Sequence, residues 1–206
     1  MSVRNNKLTG SLPQEFFQAS SLLFLDLTDN LFFGELPGNI NNPPSQLLLA
    51  NNNFSGKIPP AIGQFQHAVQ LNLSGNSLSG GIPMFKEGII ELDLSSNQLE
   101  GNASVIFPTS LVELHLSENR LSGIMEENFT RLSGLSSLNL HSNNITGGIP
   151  TTISEMTGLE YLSLHNTSFM VRVLNPSQLY QILLSCICRG INYPVKSPIS
   201  GLIRSW

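Results

Sequence analysis

The chain is organised by a short apolar phrase that returns at nearly constant intervals. Apolar residues stand eight, five and three positions before an anchor residue, as in Leu22/Leu25/Leu27, Ile89/Leu92/Leu94, Leu111/Leu114/Leu116, Leu135/Leu138/Leu140 and Leu159/Leu162/Leu164. Two copies weaken the first position, with Pro44 before Leu47/Leu49 and Ala68 before Leu71/Leu73. The anchors are Asn6, Asn30, Asn52, Asn76, Asn97, Asn119 and Asn143, with Thr167 in a degenerate last copy, and they lie 24, 22, 24, 21, 22, 24 and 24 residues apart. After each Asn comes an apolar residue at two positions and a Gly at four, as in Asn30-Leu31-Phe32-Phe33-Gly34. A unit of this length cannot bury its own apolar face, so the repeat predicts a stack of coils rather than a globular core.

Each part of the phrase predicts an element. Leu-x-Leu alternation makes a short strand with one apolar face, and successive copies bury that face by lining up as a parallel sheet. The anchor Asn suits the turn that follows, because its amide can bond backbone groups left unpaired inside the coil. Stacking then sets Asn6, Asn30, Asn52, Asn76, Asn97, Asn119 and Asn143 in a structural ladder. The Gly four residues on tolerates a positive φ.

These residues resemble the plant-type leucine-rich repeat, Leu-x-x-Leu-x-Leu-x-x-Asn-x-Leu-x-Gly-x-Ile-Pro. Its second half stands at Gly10–Pro13, Gly34–Pro37, Gly56–Pro59, Gly80–Pro83 and Gly147–Pro150, with Leu for Ile in the first two. The resemblance implies an α/β leucine-rich-repeat solenoid of about seven to eight repeats. Its parts are a curved right-handed coil, a parallel sheet on the concave side, and loops with short 3-10 turns on the convex side. Plant-type copies add short strands beside the main sheet. Copies four and five depart from Gly-x-Ile-Pro, reading Gly101-Asn102-Ala103-Ser104 and Gly123-Ile124-Met125-Glu126, which puts their side strands in question.

Two regions follow. Residues 1–170 form the repeat domain, with its first repeat incomplete, and 171–206 form a C-terminal tail. Within the tail, Asn175-Pro176 reads as a helix start and Gly190 as a stop. Leu179, Ile182, Leu183, Cys186 and Ile187 fall on one stripe between them. The expectation is an amphipathic capping helix at 176–189 over the last repeat, with a membrane-touching segment as the competing reading. Cys186 and Cys188 are expected as free thiols. Met1 begins part-way through a repeat, which points to a truncated chain.

Strand residues that alternate with the buried leucines face the concave side. One before the first leucine of each pair, that row reads Phe24, Gln46, Gln70, Glu91, Glu113, Ser137, Tyr161. Between the leucines it reads Asp26, Leu48, Asn72, Asp93, His115, Asn139, Ser163, and two residues further on Thr28, Ala50, Ser74, Ser95, Ser117, His141, His165. Polar rows with scattered rings suit a peptide or saccharide, where hydrogen bonds orient and rings supply contact area. The candidate ligand-binding residues are Phe24, Asp26, Gln70, Glu91, Asp93, Glu113, His115, Asn139, His141, Tyr161 and His165. His115, His141 and His165 map close together, a grouping that suits pH sensing or a metal. Solvated histidines fit better, and no metal site or cofactor is predicted.

Composition sharpens the picture. Charged residues make up 12% of the 206, and Asn alone contributes 21. All fourteen acids lie at or before Glu160 with six of the ten bases, net −8; the remaining four bases follow without an acid. No basic stripe exists to displace counterions, so a nucleic-acid partner is excluded. No stretch approaches the roughly 20 apolar residues of a membrane span. No nucleophile elbow, phosphate-cradling loop, His-Glu-x-x-His helix or kinase core appears, so no catalytic residue is predicted. Asn53, Asn72, Asn102, Asn128, Asn144 and Asn166 open Asn-x-Ser/Thr sequons. Asn72 is set aside because a glycan there would block the concave face, leaving the other five as candidate glycosylation sites.

The resemblance implies a non-enzymatic recognition module like the ectodomains of plant receptor-like kinases and receptor-like proteins. It would hold a peptide, glycan or protein ligand, with a receptor kinase as a further partner. Inhibition of a wall-polysaccharide hydrolase and an intracellular interaction scaffold are the alternatives. By resemblance the setting is extracellular or the plasma-membrane surface. The first residues carry no apolar leader, which keeps a cytoplasmic setting open.

Overall fold

The computed structural model describes residues 1–169 apart from 19–21, 42, 65–68, 104, 126–128, 130, 149, 151–152 and 154. The tail 171–206, with its predicted helix at 176–189 and both cysteines, lies outside the described residues, as do Ala68 and Asn128.

The Leu-x-Leu segments form the predicted sheet. Strands β2 (Phe24–Asp26), β4 (Gln46–Leu48), β6 (Gln70–Asn72), β8 (Glu91–Asp93), β10 (Glu113–His115), β12 (Ser137–Asn139) and β14 (Tyr161–Ser163) stand in sequence order in one seven-stranded sheet. Every pairing is parallel and aligns leucine with leucine, from Leu25↔Leu47 to Leu138↔Leu162. A bridge from Ser2 to Asp26 adds the incomplete first copy. A one-residue slip would turn each leucine to water, so burial fixes the register. Leu25, Leu47, Leu71, Leu92, Leu114, Leu138 and Leu162 are all buried, as are the leucines two residues after each.

A second sheet runs beside the first. Strands β1 (Thr9–Gly10), β3 (Leu31–Glu35), β5 (Asn53–Lys57), β7 (Ser77–Gly80), β9 (Gln98–Asn102) and β11 (Arg120–Ser122) pair in order, again parallel. Copies four and five therefore keep their side strands, as β9 and β11. The reason is local: these strands sit on Asn-x-Leu-x-Gly, which both copies retain, rather than on the Ile-Pro that both lack. Their Leu99 and Leu121 point inward and are fully buried. The six-stranded run ends at β11. Beyond it, a bridge joins Ile124 to Thr146, and β13 (Thr146–Gly147) pairs with β15 (Ser168–Phe169) separately.

The anchor asparagines tie the two sheets together. Asn119 donates its amide to the carbonyls of Leu116 and Ser117 in its own copy and of Leu94 in the copy before, at 3.0–3.2 Å. Its Oδ1 accepts the Leu99 N–H at 2.9 Å. Asn30, Asn52, Asn76, Asn97 and Asn143 repeat this four-bond pattern one copy at a time. Asn6 bonds the carbonyls of Val3 and Arg4 within its own copy. Thr167, too short for this reach, donates its hydroxyl to the Leu164 carbonyl.

The residue before each anchor has a positive φ: Asn5, Asp29, Asn51, Ser96, Glu118, Ser142 and Asn166 lie at 52–57°, and Gly75 at 63°. That kink turns the chain from the first sheet into the second. On the convex side the return is made by irregular loops, with a 3-10 turn at Gln14–Phe17 after Pro13 and one α-helical turn at Pro60–Gly63 after Pro59. Phe17, Ile62, Phe107 and Phe129 close the core from there. Helix is scarce among the described residues, and the architecture is a solenoid of parallel β coils.

Candidate functional site

Register decides which concave residues become neighbours. The first row aligns as Phe24↔Gln46↔Gln70↔Glu91↔Glu113↔Ser137↔Tyr161, and the second as Asp26↔Leu48↔Asn72↔Asp93↔His115↔Asn139↔Ser163. Strands in such a sheet are about 4.8 Å apart. The candidate residues therefore form one surface, though they are not equally free to meet a ligand.

Several are bound into the scaffold. Asp26 is 6% exposed; its Oδ1 accepts the Thr28 N–H and its Oδ2 the Ser2 hydroxyl. Asp93 Oδ1 takes both the N–H and the hydroxyl of Ser95, and Asn72 does the same for Ser74. Asn139 Oδ1 takes the His141 N–H at 3.4 Å. Short Asx side chains at this position thus close the strand end, a role that asparagine and aspartate favour for the same reason they favour turns. Sequence reasoning missed both this and the positive-φ row, although the Asn, Asp and Gly before many anchors were legible signs of it.

The centre of the face is acidic. Glu91, Asp93 and Glu113 come from the adjacent strands β8 and β10, and none of the three rows carries a Lys or Arg. Gln70 Nε2 donates to Glu91 Oε2 at 2.6 Å, and Glu113 Oε2 lies 3.6 Å from His115 Nε2. Glu118 accepts the Ser96 hydroxyl at 2.8 Å on the turn beyond. Phe24 is half-buried at one end of the first row and Tyr161, at the other, is 45% exposed.

The histidines separate. His141 and His165 stack with centroids 4.3 Å apart and planes 18° from parallel. His141 Nδ1 pairs with the Ser142 hydroxyl at 3.1 Å and His165 Nδ1 with that of Ser163 at 3.0 Å. His115 is turned to Glu113 instead. Among the described residues no group of three or more His, Cys, Asp or Glu is placed to hold a metal. Partial burial, followed by the neighbouring His165, lowers the His141 pKa from its ordinary value, against a smaller opposing pull from Glu118.

Of the sequon asparagines, Asn53, Asn102, Asn144 and Asn166 are exposed and lie off the concave rows. Asn72 faces the concave side. No helix of the described residues is long and apolar enough to cross a membrane.

Known proteins carry the same pattern. The family described as "Leucine rich repeat" matches residues 109–169, and a second of that description matches 45–65 and 67–85. Receptor-like protein 32 of Arabidopsis thaliana is 33% identical over 146 residues, which is 66% of this chain but 17% of that relative. The chain thus spans about a sixth of the length of the relative it matches. Among solved structures, the Arabidopsis receptor kinase HAESA, in complex with the peptide hormone IDA and the co-receptor SERK1, superposes with a TM-score of 0.72 at 30% identity, over 87% of this chain and 32% of that one. A plant ice-binding protein superposes with a TM-score of 0.65, also at 30% identity, over 79% of this chain and 54% of that one.

Proposed function

The chain is a plant-type leucine-rich-repeat protein, and from that premise we propose that its concave sheet binds a peptide ligand without catalysis, in a receptor-like role. The fold does not choose the ligand, since similar coils belong to a hormone receptor and to an ice-binding protein. What carries the reading is the concave centre: three carboxylates, Glu91, Asp93 and Glu113, on two paired strands with no Lys or Arg in the rows. Unbalanced charge of one sign in a groove attracts and orients the opposite sign. The ligand is accordingly a peptide with a basic side chain over β8 and β10. Ring contact comes from Tyr161 at one end, and Gln70, Ser137 and Asn139 offer hydrogen bonds.

The binding residues of this reading are Gln70, Glu91, Asp93, Glu113, His115, Asn139, Tyr161 and the His141–His165 pair. Phe24 and Asp26 contribute to the end of the sheet that they help to build. The setting is extracellular or at the plasma membrane, with a receptor kinase as partner and glycans on Asn53, Asn102, Asn144 or Asn166. Finding the native protein unglycosylated would move it towards an interaction scaffold inside the cell.

The test is panning a random peptide library against the full chain and measuring the affinity of the winners by calorimetry. Winners enriched in Lys or Arg, weakened about tenfold by Glu91→Gln with Glu113→Gln and unaffected by Glu100→Gln on β9, are the expected result. Enrichment without basic residues, or equal loss with Glu100→Gln, would overturn the charge-based reading.

A further inference from the structure

The third concave row changes character at its end. In five copies it holds small residues, Thr28, Ala50, Ser74, Ser95 and Ser117, all buried or half-buried. In the next two it holds His141 and His165. Because the coils stack in register, the two imidazoles meet face to face at 4.3 Å. Serine hydroxyls occupy both Nδ1 atoms, and neither Nε2 has a partner among the described residues. The pair therefore leaves two Nε2 atoms, on nearly parallel rings, beside the polar surface of β12 and β14.

Among the described residues no third group completes a metal site beside these two nitrogens. They do suit an acceptor with two oxygens once both nitrogens carry protons. A carboxylate is such a group: each oxygen accepts one N–H, and its negative charge relieves the repulsion between two imidazoliums. We propose that the His141–His165 stack is a proton-gated seat for a carboxylate of the peptide ligand, closed near neutral pH and opened by acidification. The reading deepens the peptide proposal above and rests on it for the nature of the ligand, but not for the behaviour of the pair.

The electrostatic surroundings fit a gate. A second proton on the pair must be placed on a ring whose centroid lies 4.3 Å from that of the first. Close titrating groups of this kind release protons in separate steps that belong to the pair. The titratable groups of the neighbouring strands are Glu113 and His115 on β10, Glu118 on the turn after it, and Tyr161 on β14. Glu113 lies beside His115, and Glu118, which favours a protonated His141, also accepts the Ser96 hydroxyl. Among the described residues neither carboxylate makes a hydrogen bond or ion pair with the two histidines, so a ligand carboxylate would be their direct counter-charge.

The experiment is an NMR titration of the histidine ring protons of the full chain between pH 8 and 5, about the range in which histidine titrates. Runs in sodium formate are compared with sodium chloride at equal ionic strength. Expected are two steps about one pH unit or more apart, the lower of which moves to higher pH in formate. In His165→Gln, His141 should titrate in one step without a formate effect. Independent single steps in the native chain, or a formate effect that survives His165→Gln, would overturn the seat. A Glu-Glu-Glu tripeptide should act at far lower concentration than formate. A uronic-acid trisaccharide that acts where the tripeptide does not would overturn the peptide assignment. Failure of the peptide panning leaves the formate result standing or falling by itself, so the two readings fail separately.

Discussion

A single asparagine amide in this coil satisfies four backbone groups, and the cost of losing it depends on its place in the stack. At Asn119 truncation strands the Leu99 N–H in the interior and takes one of two donors from each of three carbonyls, since Leu94, Leu116 and Ser117 keep bonds from Asn97, Asn143 and the Ser96 N–H. A buried group left unpaired costs roughly 1–3 kcal/mol. Asn119→Ala should therefore lower stability to urea by about 3 kcal/mol. Asn6 spans only its own copy and is exposed, so Asn6→Ala should cost under about 1 kcal/mol. Equal losses at the two positions would contradict the ladder as drawn. The kink row offers a second test. Gly75 has a φ of +63°, and a Cβ there would come to 2.2 Å from Asn51 Oδ1. Gly75→Ala should cost at least about 1–2 kcal/mol, read from the same urea curves, because the left-handed conformation alone penalises alanine by that order. The ladder was legible because the Asn recurs with its leucines. The kink row was only partly legible, because of its eight positions five carry Asn, Asp or Gly while Ser96, Glu118 and Ser142 hide the same backbone angle.

Strands β9 and β11 teach the complementary lesson at the scale of the element. A departure from Gly-x-Ile-Pro looked like the loss of a side strand, yet the strand depends on the apolar residue two beyond the anchor. Leu121 fills the interior between the sheets and is fully buried. Leu121→Ala should cost about 2–5 kcal/mol by leaving a cavity. Ile124→Ser, at an exposed position beyond the end of β11, should cost under about 0.5 kcal/mol. A thermal melt showing the reverse order would contradict this assignment of inside and outside. The histidine stack also belongs to this scale, since it exists only because β12 and β14 pair in register. His141 takes a proton less readily when folded than when unfolded. Between those two conditions the unfolded chain binds more protons, so stability is full above the ordinary histidine value and falls as pH drops below it. Denaturation midpoints should decrease from pH 7.5 towards 5.5, and His141→Gln should flatten the slope. An unchanged slope would remove His141 from the account.

For the molecule as a whole, function follows from what the coils leave uncovered. The sequence made the three concave rows readable because strand alternation assigns each residue to a face. It did not reveal that Asp26, Asn72, Asp93 and Asn139 use their side-chain oxygens to close strand ends, or that His115 parts from the other two histidines. Those outcomes depend on side-chain reach, not on position in a pattern. What remains is a face acidic at β8 and β10, with an aromatic and imidazole end at β12 and β14. The most direct measurement is photo-crosslinking a Lys-containing peptide from the library to the full chain and mapping the adducts by mass spectrometry. Adducts along Gln70, Glu91, Glu113, Ser137 and Tyr161 are the predicted result. Adducts concentrated on Asn53, Gln98, Arg120 and Asn144 of the second sheet's side would contradict a ligand held in the concave groove.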